Sequence, residues 1–233
     1  MSSLIAQGIP VWGADLSSVH VTRLENGAGR HDADVVHHKG QVRENDLTQA
    51  SGMNVTVPGR AALEAATMLT VESGLVSVDA VLARGFAHPE ELAARQPYFA
   101  KWPGAQRLQL VCRLADGRSE SPGESRSRYL FWSRGLPAPQ LQFEIFGSTG
   151  LLIARTDFAW PEYGVLGEFD GKVKYERLLR PGQGAGDVVF EEKQREDRIR
   201  EATGWTVLRL VWADLNQPDA TARRFARYLG RAA

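Results

Sequence analysis

The pattern of apolar and polar residues divides the chain into a region of strands and turns, a helical region and an ordered α/β region. Residues 1–60 alternate in short bursts that Gly, Asn and Asp interrupt, which is typical of small strands and turns. Pro58 opens a run of good helix formers whose apolar positions suit a buried face. Residues 73–85 predict a second helix that Gly85 ends, and residues 88–115 predict two more.

The segment DGRSESPGES at residues 116–125 is small, polar and rich in turn formers. It predicts a boundary between a small α+β domain, residues 1–115, and an α/β domain, residues 119–233. The second domain is expected to begin with a helix at residues 122–134 that Ser121 caps. Three strands, a charged helix, a fourth strand and a last helix are then predicted at residues 139–147, 151–160, 165–170, 187–203, 205–212 and 219–230.

Two acidic residues are expected to face each other across the hairpin of the second and third strands. If a symmetric four-residue loop joins these strands, Trp160 pairs with Val165. Counting outward from this pair places Asp157 opposite Glu168, with Asp170 on the same face as Glu168. The other face carries the expected core residues Phe158, Trp160, Val165 and Phe169.

Carboxylates that face each other beside a core repel and are poorly solvated, so their grouping favours a bound cation. Oxygen ligands prefer a hard ion, and Asp157, Glu168 and Asp170 are therefore candidate ligands of Mg²⁺ or Mn²⁺. Such an ion can activate water and stabilise charge at a phosphodiester. The alternative is that these carboxylates are solvated, or paired with a cation among Arg155, Lys172 and Lys174.

Three further residues have both a structural and a catalytic interpretation. Glu124 lies three residues after Ser121, which is the spacing of a helix capping box, but it could also assist at the acidic pair. Lys172 and Lys174 follow the acidic strand, where a lysine could orient the attacking water or offset transition-state charge. Both lysines could equally be ordinary surface residues.

The charged helix carries basic residues that could face DNA phosphates, namely Lys193, Arg195 and Arg198. Its run EEKQREDRIRE is mixed in sign, so solvated pairs four residues apart are the alternative. The whole chain has 28 basic and 28 acidic residues, whereas a nucleic-acid-binding protein often carries a basic surplus. A local basic groove remains compatible with this balance.

Other features of the composition predict a cytoplasmic location and no membrane partner. Cys112 is the only cysteine, so no intramolecular disulfide can form, which fits a reducing compartment. The N-terminus lacks the basic flank and apolar run of a secretory signal. No apolar stretch approaches the roughly 18 residues that a transmembrane helix needs.

Three strings resemble the Vsr-like endonuclease domains common in actinobacteria, which belong to the PD-(D/E)XK superfamily of restriction-endonuclease-like proteins. They are SESPGESRSR, RTDFAWPEYGVLGEFDGKVKY and EKQREDRIREATGWTVLRLVWADL. The resemblance covers roughly residues 119–215 and implies a nuclease core of helix, three strands, helix and strand. It implies that Asp157 and Glu168 match the metal-binding acids and Glu124 the acid of the first helix. Arg126, Lys193, Arg195 and Arg198 then become candidate nucleic-acid contacts.

The sequence departs from the superfamily pattern at one position. Where the superfamily has E-x-K, this chain has Glu168-Phe169-Asp170, so an acid stands at the position of the lysine. Lys172, Lys174 or Lys193 could supply the missing amine.

The strings VHVTRLENGAGR, VVHHKG and NVTVPGRAALEAA resemble the region that accompanies such domains in AbiEi-type regulators of type IV toxin–antitoxin systems. Two functions follow as hypotheses. The first is an Mg²⁺-dependent DNA endonuclease in defence, phage conflict or repair. The second is a catalytically weak or inactive DNA-binding regulator, antitoxin-like, with a cognate toxin or another protein as its partner.

Overall fold

The computed structural model of the protein describes residues 1–23, 30–171 and 185–230. The chain folds into two compact units, Met1–Ser125 and Arg126–Ala233. The division falls at the end of the segment 116–125, which the sequence marks as a boundary. Among the described residues, no helix combines the length and the apolar character needed to cross a membrane.

The N-terminal unit contains two small sheets. In the first, β1 and β3 are parallel and β2 pairs antiparallel with β3, while β4 and β5 form a separate hairpin. The parallel pairing brings His20 beside His38, and Nδ1 of the first lies 2.7 Å from Nε2 of the second. The strands are β1 (Val19–Arg23), β2 (Arg30–Asp32), β3 (Val35–Lys39), β4 (Leu47–Ala50) and β5 (Met53–Thr56).

One helix begins at Pro58 as predicted, but Ser2–Ala6 forms a helix in the region expected to form strands and turns, and the helix predicted at residues 73–85 runs from Val71 to Ala83. Pro58 occupies the first turn of its helix, and the Thr70 hydroxyl caps the next helix by accepting a hydrogen bond from the Ser73 N–H at 3.1 Å. Gly104 has a φ of 82°, and a Cβ there would lie 2.0 Å from the Thr67 carbonyl oxygen. The helices are α1 (Ser2–Ala6), α2 (Pro58–Met68), α3 (Val71–Ala83), α4 (Pro89–Arg95) and α5 (Ala105–Leu114).

A buried ionic cluster joins the strands to the helices in the N-terminal unit. Asp46, whose side chain is 1% exposed, accepts hydrogen bonds from Arg60 on α2, from Arg95 on α4 and from the N–H of Arg43. Arg60 also donates to Glu64 at 2.8 Å. Burial on its own raises the pKa of Asp46, but the Arg43 N–H and the two guanidinium groups outweigh it, so the pKa lies below its usual value.

The C-terminal unit is built on a mixed four-stranded sheet flanked by helices, as the α/β pattern predicts. The strand order follows the sequence, with two antiparallel pairings and a parallel pairing of the last two strands. The elements are α6 (Pro122–Ser133), β6 (Gln140–Phe146), β7 (Leu152–Trp160), β8 (Val165–Phe169), α7 (Ala185–Thr203), β9 (Thr206–Leu210), α8 (Trp212–Leu215) and α9 (Pro218–Tyr228). Helix α6 begins within the first unit.

The β7–β8 hairpin has the predicted register. Trp160 pairs with Val165, and Phe158 pairs with Gly167. The connecting turn contains the 3-10 segment Pro161–Tyr163 and ends at Gly164, whose φ is 61°. The symmetric four-residue loop that the sequence predicts is therefore confirmed.

The two faces of this sheet carry separate cores. The predicted core residues Phe158, Trp160, Val165 and Phe169 do share one apolar cluster, together with Phe131 and Phe225 from the flanking helices α6 and α9. The opposite face holds Ala159 and Leu166, which cluster with Ile199 of α7. Because side chains alternate along a strand, Asp157 and Glu168 belong to this second face.

Gly167 fits β8 closely against the aromatic cluster. A Cβ at this position would lie 3.2 Å from the Phe158 Cβ and 3.2 Å from Cζ3 of Trp160. The two rings therefore occupy the space that a side chain on this strand would need. The strand that carries Glu168 is thus held firmly from its other face.

The structure corrects the end of the fourth predicted strand. That strand was expected to run from residue 205 to residue 212, but it ends at Leu210 because the short helix α8 starts at Trp212. The Asp214 carboxylate accepts a hydrogen bond from the Val211 N–H at 2.9 Å, which stabilises the first turn of α8. Trp212 packs edge-on against Phe169, with ring centroids 4.9 Å apart.

Candidate metal centre

Asp157 lies one residue beyond the described β7–β8 ladder. Its Oδ2 accepts a hydrogen bond from the backbone N–H of Phe169 at 2.7 Å. A carboxylate oxygen therefore takes the place that a backbone carbonyl of β7 fills in a regular ladder. This bond holds the half-buried Asp157 side chain against β8 at Phe169, the residue that follows Glu168.

Glu168 lies near the end of β8, and its side chain is only 14% exposed. Its Oε1 accepts a hydrogen bond from Nη2 of Arg195 on α7 at 2.7 Å. The same Nη2 lies 2.9 Å from the backbone carbonyl of Arg155 on β7. One guanidinium thus connects β7, β8 and α7 beside the acidic pair.

Asp170 follows β8 directly and is half-buried. Its N–H donates to the Leu210 carbonyl at 2.7 Å, which extends the β8–β9 pairing by one step. The three acids predicted as metal ligands therefore lie within β7, near the end of β8 and directly after β8. The described residues do not bring the three acids together as ligands of one ion, and a site formed by Asp157 and Glu168 stays a prediction.

The donor chemistry fits a hard ion better than zinc. Within residues 1–23, 30–171 and 185–230 there is no group of three or more His, Cys, Asp and Glu side chains arranged to hold a metal. Mg²⁺ is usually bound by one or two carboxylates together with waters and substrate phosphates, rather than by an all-protein cage. Asp157 and Glu168, held on adjacent strands, match this simpler donor set.

Glu124 bonds to Ser121 at the start of α6, as its capping-box spacing predicts, and also to the Glu120 N–H. Its Oε2 accepts from the Glu120 N–H at 2.9 Å and its Oε1 from the Ser121 hydroxyl at 2.6 Å. The Glu124 N–H in turn donates to the Ser121 hydroxyl at 3.2 Å. Both carboxylate oxygens of this buried residue therefore serve the start of α6. Its catalytic role stays a prediction.

The candidate DNA-contacting residues differ in exposure. Lys193 and Arg198 are exposed on α7, while the Arg195 side chain is 29% exposed and bonded to Glu168. Arg126 is 5% exposed and its guanidinium carbon lies 5.8 Å from the ring centroid of Trp212. Of these four residues, only Lys193 and Arg198 are exposed. Lys172 and Lys174 lie outside the described residues.

The ion pair between Glu168 and Arg195 is the contact that sequence reasoning missed. The sequence offered Arg155, Lys172 and Lys174 as partners for the acids, and left Arg195 either facing DNA or in a solvated pair on its own helix. A signal was present, because Arg195 precedes Ile199 by four residues and Ile199 is buried against the sheet. Residues four apart share one face of a helix, so Arg195 also points toward the sheet.

The comparisons with known proteins give relatives without a described activity. The chain is 31% identical over 187 residues to Uncharacterized protein Rv2248 of Mycobacterium tuberculosis strain H37Rv, and equally to Uncharacterized protein MT2308 of strain CDC 1551. Each alignment covers 80% of this chain, and the chain spans 65% of the length of these curated relatives. No family model matches the chain. No solved structure matches it.

Proposed function

We propose that the C-terminal unit is a metal-dependent DNA endonuclease of the PD-(D/E)XK type. The observation that carries the proposal is the hydrogen bond from the Phe169 N–H to Asp157, which fixes one carboxylate of β7 against the strand that bears Glu168. The order of helix, three strands, helix and strand supports the same core. The sequence resemblance to Vsr-like domains adds the substrate class.

In this proposal, Asp157 and Glu168 hold the metal and Asp170 assists from the end of β8. Mg²⁺, or Mn²⁺ in its place, would supply an activated water and would stabilise charge at the scissile phosphate. Lys172 or Lys174 would orient that water, since Asp170 occupies the position of the superfamily lysine. Exposed Lys193 and Arg198 would bind the phosphate backbone by charge.

The test is cleavage of plasmid DNA with Mg²⁺ or Mn²⁺ by the wild type and by Asp157→Asn and Glu168→Gln. These variants keep the size of the side chain and remove its charge. We expect a loss of about a hundredfold or more, the scale seen when one preorganised electrostatic group is removed.

The matched control is Asp219→Asn. Asp219 is an exposed acid of the same unit, on α9, whose carboxylate is bonded to Arg134 at 2.7 Å. This variant should cleave like the wild type. Equal cleavage by all four proteins would remove Asp157 and Glu168 from the mechanism.

One observation favours a second candidate, a DNA-binding regulator without catalysis. Arg195 already supplies a positive charge to Glu168, and an acid stands where the superfamily has lysine. Such a protein, antitoxin-like and paired with a cognate toxin, would retard DNA in a gel in the presence of a chelator. Loss of the retarded band on chelation would contradict it.

A further inference from the structure

We propose that Arg195 is a positioning residue that competes with the divalent ion for Glu168, and that a DNA phosphate relieves this competition. Metal and DNA would then bind to the acidic pair with positive coupling. The inference rests on the proposed endonuclease function and adds how its site is regulated.

Arg195 and Glu168 form a close and partly buried ion pair. Nη2 of Arg195 lies 2.7 Å from Oε1 of Glu168 and 2.9 Å from the Arg155 carbonyl oxygen. Glu168 is 14% exposed, so its charge is poorly solvated and depends on a nearby cation. Arg195 provides that cation without any metal.

Arg195 and a divalent ion compete for Glu168. A divalent ion that binds Glu168 needs the oxygens of this carboxylate, and Arg195 bonds to one of them. The ion and the guanidinium are both positive, so their mutual repulsion in a partly buried place is large. Occupation of Glu168 by the ion therefore competes with the bond to Arg195, through charge repulsion and, when both carboxylate oxygens bind the ion, through the shared Oε1.

The Arg195 guanidinium can bind a phosphate when it leaves Glu168. The Arg195 side chain is 29% exposed, so its guanidinium can turn toward a ligand in solvent. Guanidinium binds phosphate well because its planar donors match the oxygens of the anion. The exposed side chains of Lys193 and Arg198 on the same helix would bring a phosphate backbone to this side.

The coupling follows from these steps. When Arg195 bonds to a phosphate, Glu168 loses a positive partner, and its affinity for a metal ion rises. The ion in turn releases Arg195 for the phosphate, so each ligand strengthens the binding of the other by the same factor. Metal would bind weakly without DNA and tightly with it.

The experiment measures Mn²⁺ binding from the electron paramagnetic resonance signal of the free ion. The full chain is titrated without and with a short duplex, on ice, and a gel confirms that the duplex stays intact. For the wild type we expect DNA to tighten Mn²⁺ binding by about 5- to 150-fold, the usual range of coupling between sites. For Arg195→Gln we expect tighter Mn²⁺ binding without DNA and a smaller gain with DNA than in the wild type, because only the direct attraction between the ion and the phosphate remains.

Arg198→Gln is the matched control, because Arg198 lies on the same helix and bonds to the Gln194 carbonyl, within α7. It should weaken DNA binding and leave the Mn²⁺ affinity without DNA unchanged. Arg195→Lys keeps the positive charge and guards against a folding defect of the glutamine variant; it should retain part of the competition.

Each outcome is decisive. Equal Mn²⁺ affinity of wild type and Arg195→Gln without DNA, or equal coupling in both, would overturn this inference while Asp157-dependent cleavage still supported the proposed function. Absence of Mn²⁺ binding in all variants, with and without DNA, would overturn both.

Discussion

Asp46 in the N-terminal unit and Glu168 in the C-terminal unit both bind arginine, yet their surroundings differ. Asp46 is 1% exposed and its partner Arg60 is 4% exposed. Glu168 is 14% exposed, and its partner Arg195 is 29% exposed. The exposed fraction therefore differs more between the two arginines than between the two acids.

This difference separates a structural pair from an exchangeable one. Arg60 lies inside the fold, where it also bonds to Glu64 and to the Gln41 carbonyl, so it has no access to a ligand. Arg195 can reach solvent and exchange its partner. A carboxylate with a nearby arginine is thus a candidate site only where the arginine can leave.

The largest expected effect is the loss of stability when the buried ionic cluster around Asp46 is broken. Asp46→Ala removes the carboxylate between Arg60 and Arg95 and leaves their charges buried, which should lower the free energy of unfolding by about 3–5 kcal/mol. Chemical denaturation followed by circular dichroism measures this loss. Glu168→Gln is the comparison and should lose much less, because Arg195 can turn to water. Equal losses would contradict the contrast.

A smaller effect is expected at the other acid of the candidate metal centre. Asp157→Ala leaves the Phe169 N–H without its acceptor and should lower the free energy of unfolding by about 1–3 kcal/mol. Asp157→Asn keeps an oxygen in place and should lose less. The same denaturation measurement compares the two variants. An asparagine variant as unstable as the alanine variant would show that charge, and not the hydrogen bond, stabilises this point.

The smallest effect is expected in the pH dependence of stability at the buried cluster. Because the pKa of Asp46 is lowered on folding, its contribution is full above the unfolded value of about 3.9 and is lost as the pH falls toward the folded value. Asp46→Asn should therefore lose less stability than the wild type on acidification. Denaturation between about pH 3 and pH 7 measures this.

Glu64 provides a control, because its contribution to stability should change with pH in the opposite direction. Burial raises its pKa, and the Arg60 charge offsets only part of that rise. Its contribution is therefore present below the unfolded value of about 4.3 and is lost as the pH rises through the folded value. Relative to the wild type, Glu64→Gln should gain stability as the pH rises. A gain of the same sign in Asp46→Asn would contradict the assignment.

Local features of the fold were predictable from the sequence, and long-range contacts were not. The register of Trp160 with Val165 follows from a four-residue turn, and the contacts of Glu124 follow from its spacing to Ser121. The parallel pairing of β1 with β3, which places His20 opposite Val36 and close to His38, joins strands that are not connected by a tight turn. No local pattern encodes such a pairing.

The candidate site shows the same division. Alternation along the strands predicted that Asp157 and Glu168 share a face, because that rule needs only one hairpin. The pairing of Glu168 with Arg195 needs the rotation of α7 about its axis, which its packing through Ile199 determines. Helix α8 escaped prediction because a single turn carries too little periodic signal.

Arg195 also has a consequence for how this type of domain could evolve. The polypeptide carries its own counter-ion for Glu168, so this carboxylate is neutralised without an inorganic ion. In the proposed endonuclease, substitutions that abolish hydrolysis could therefore be retained while the chain stays folded.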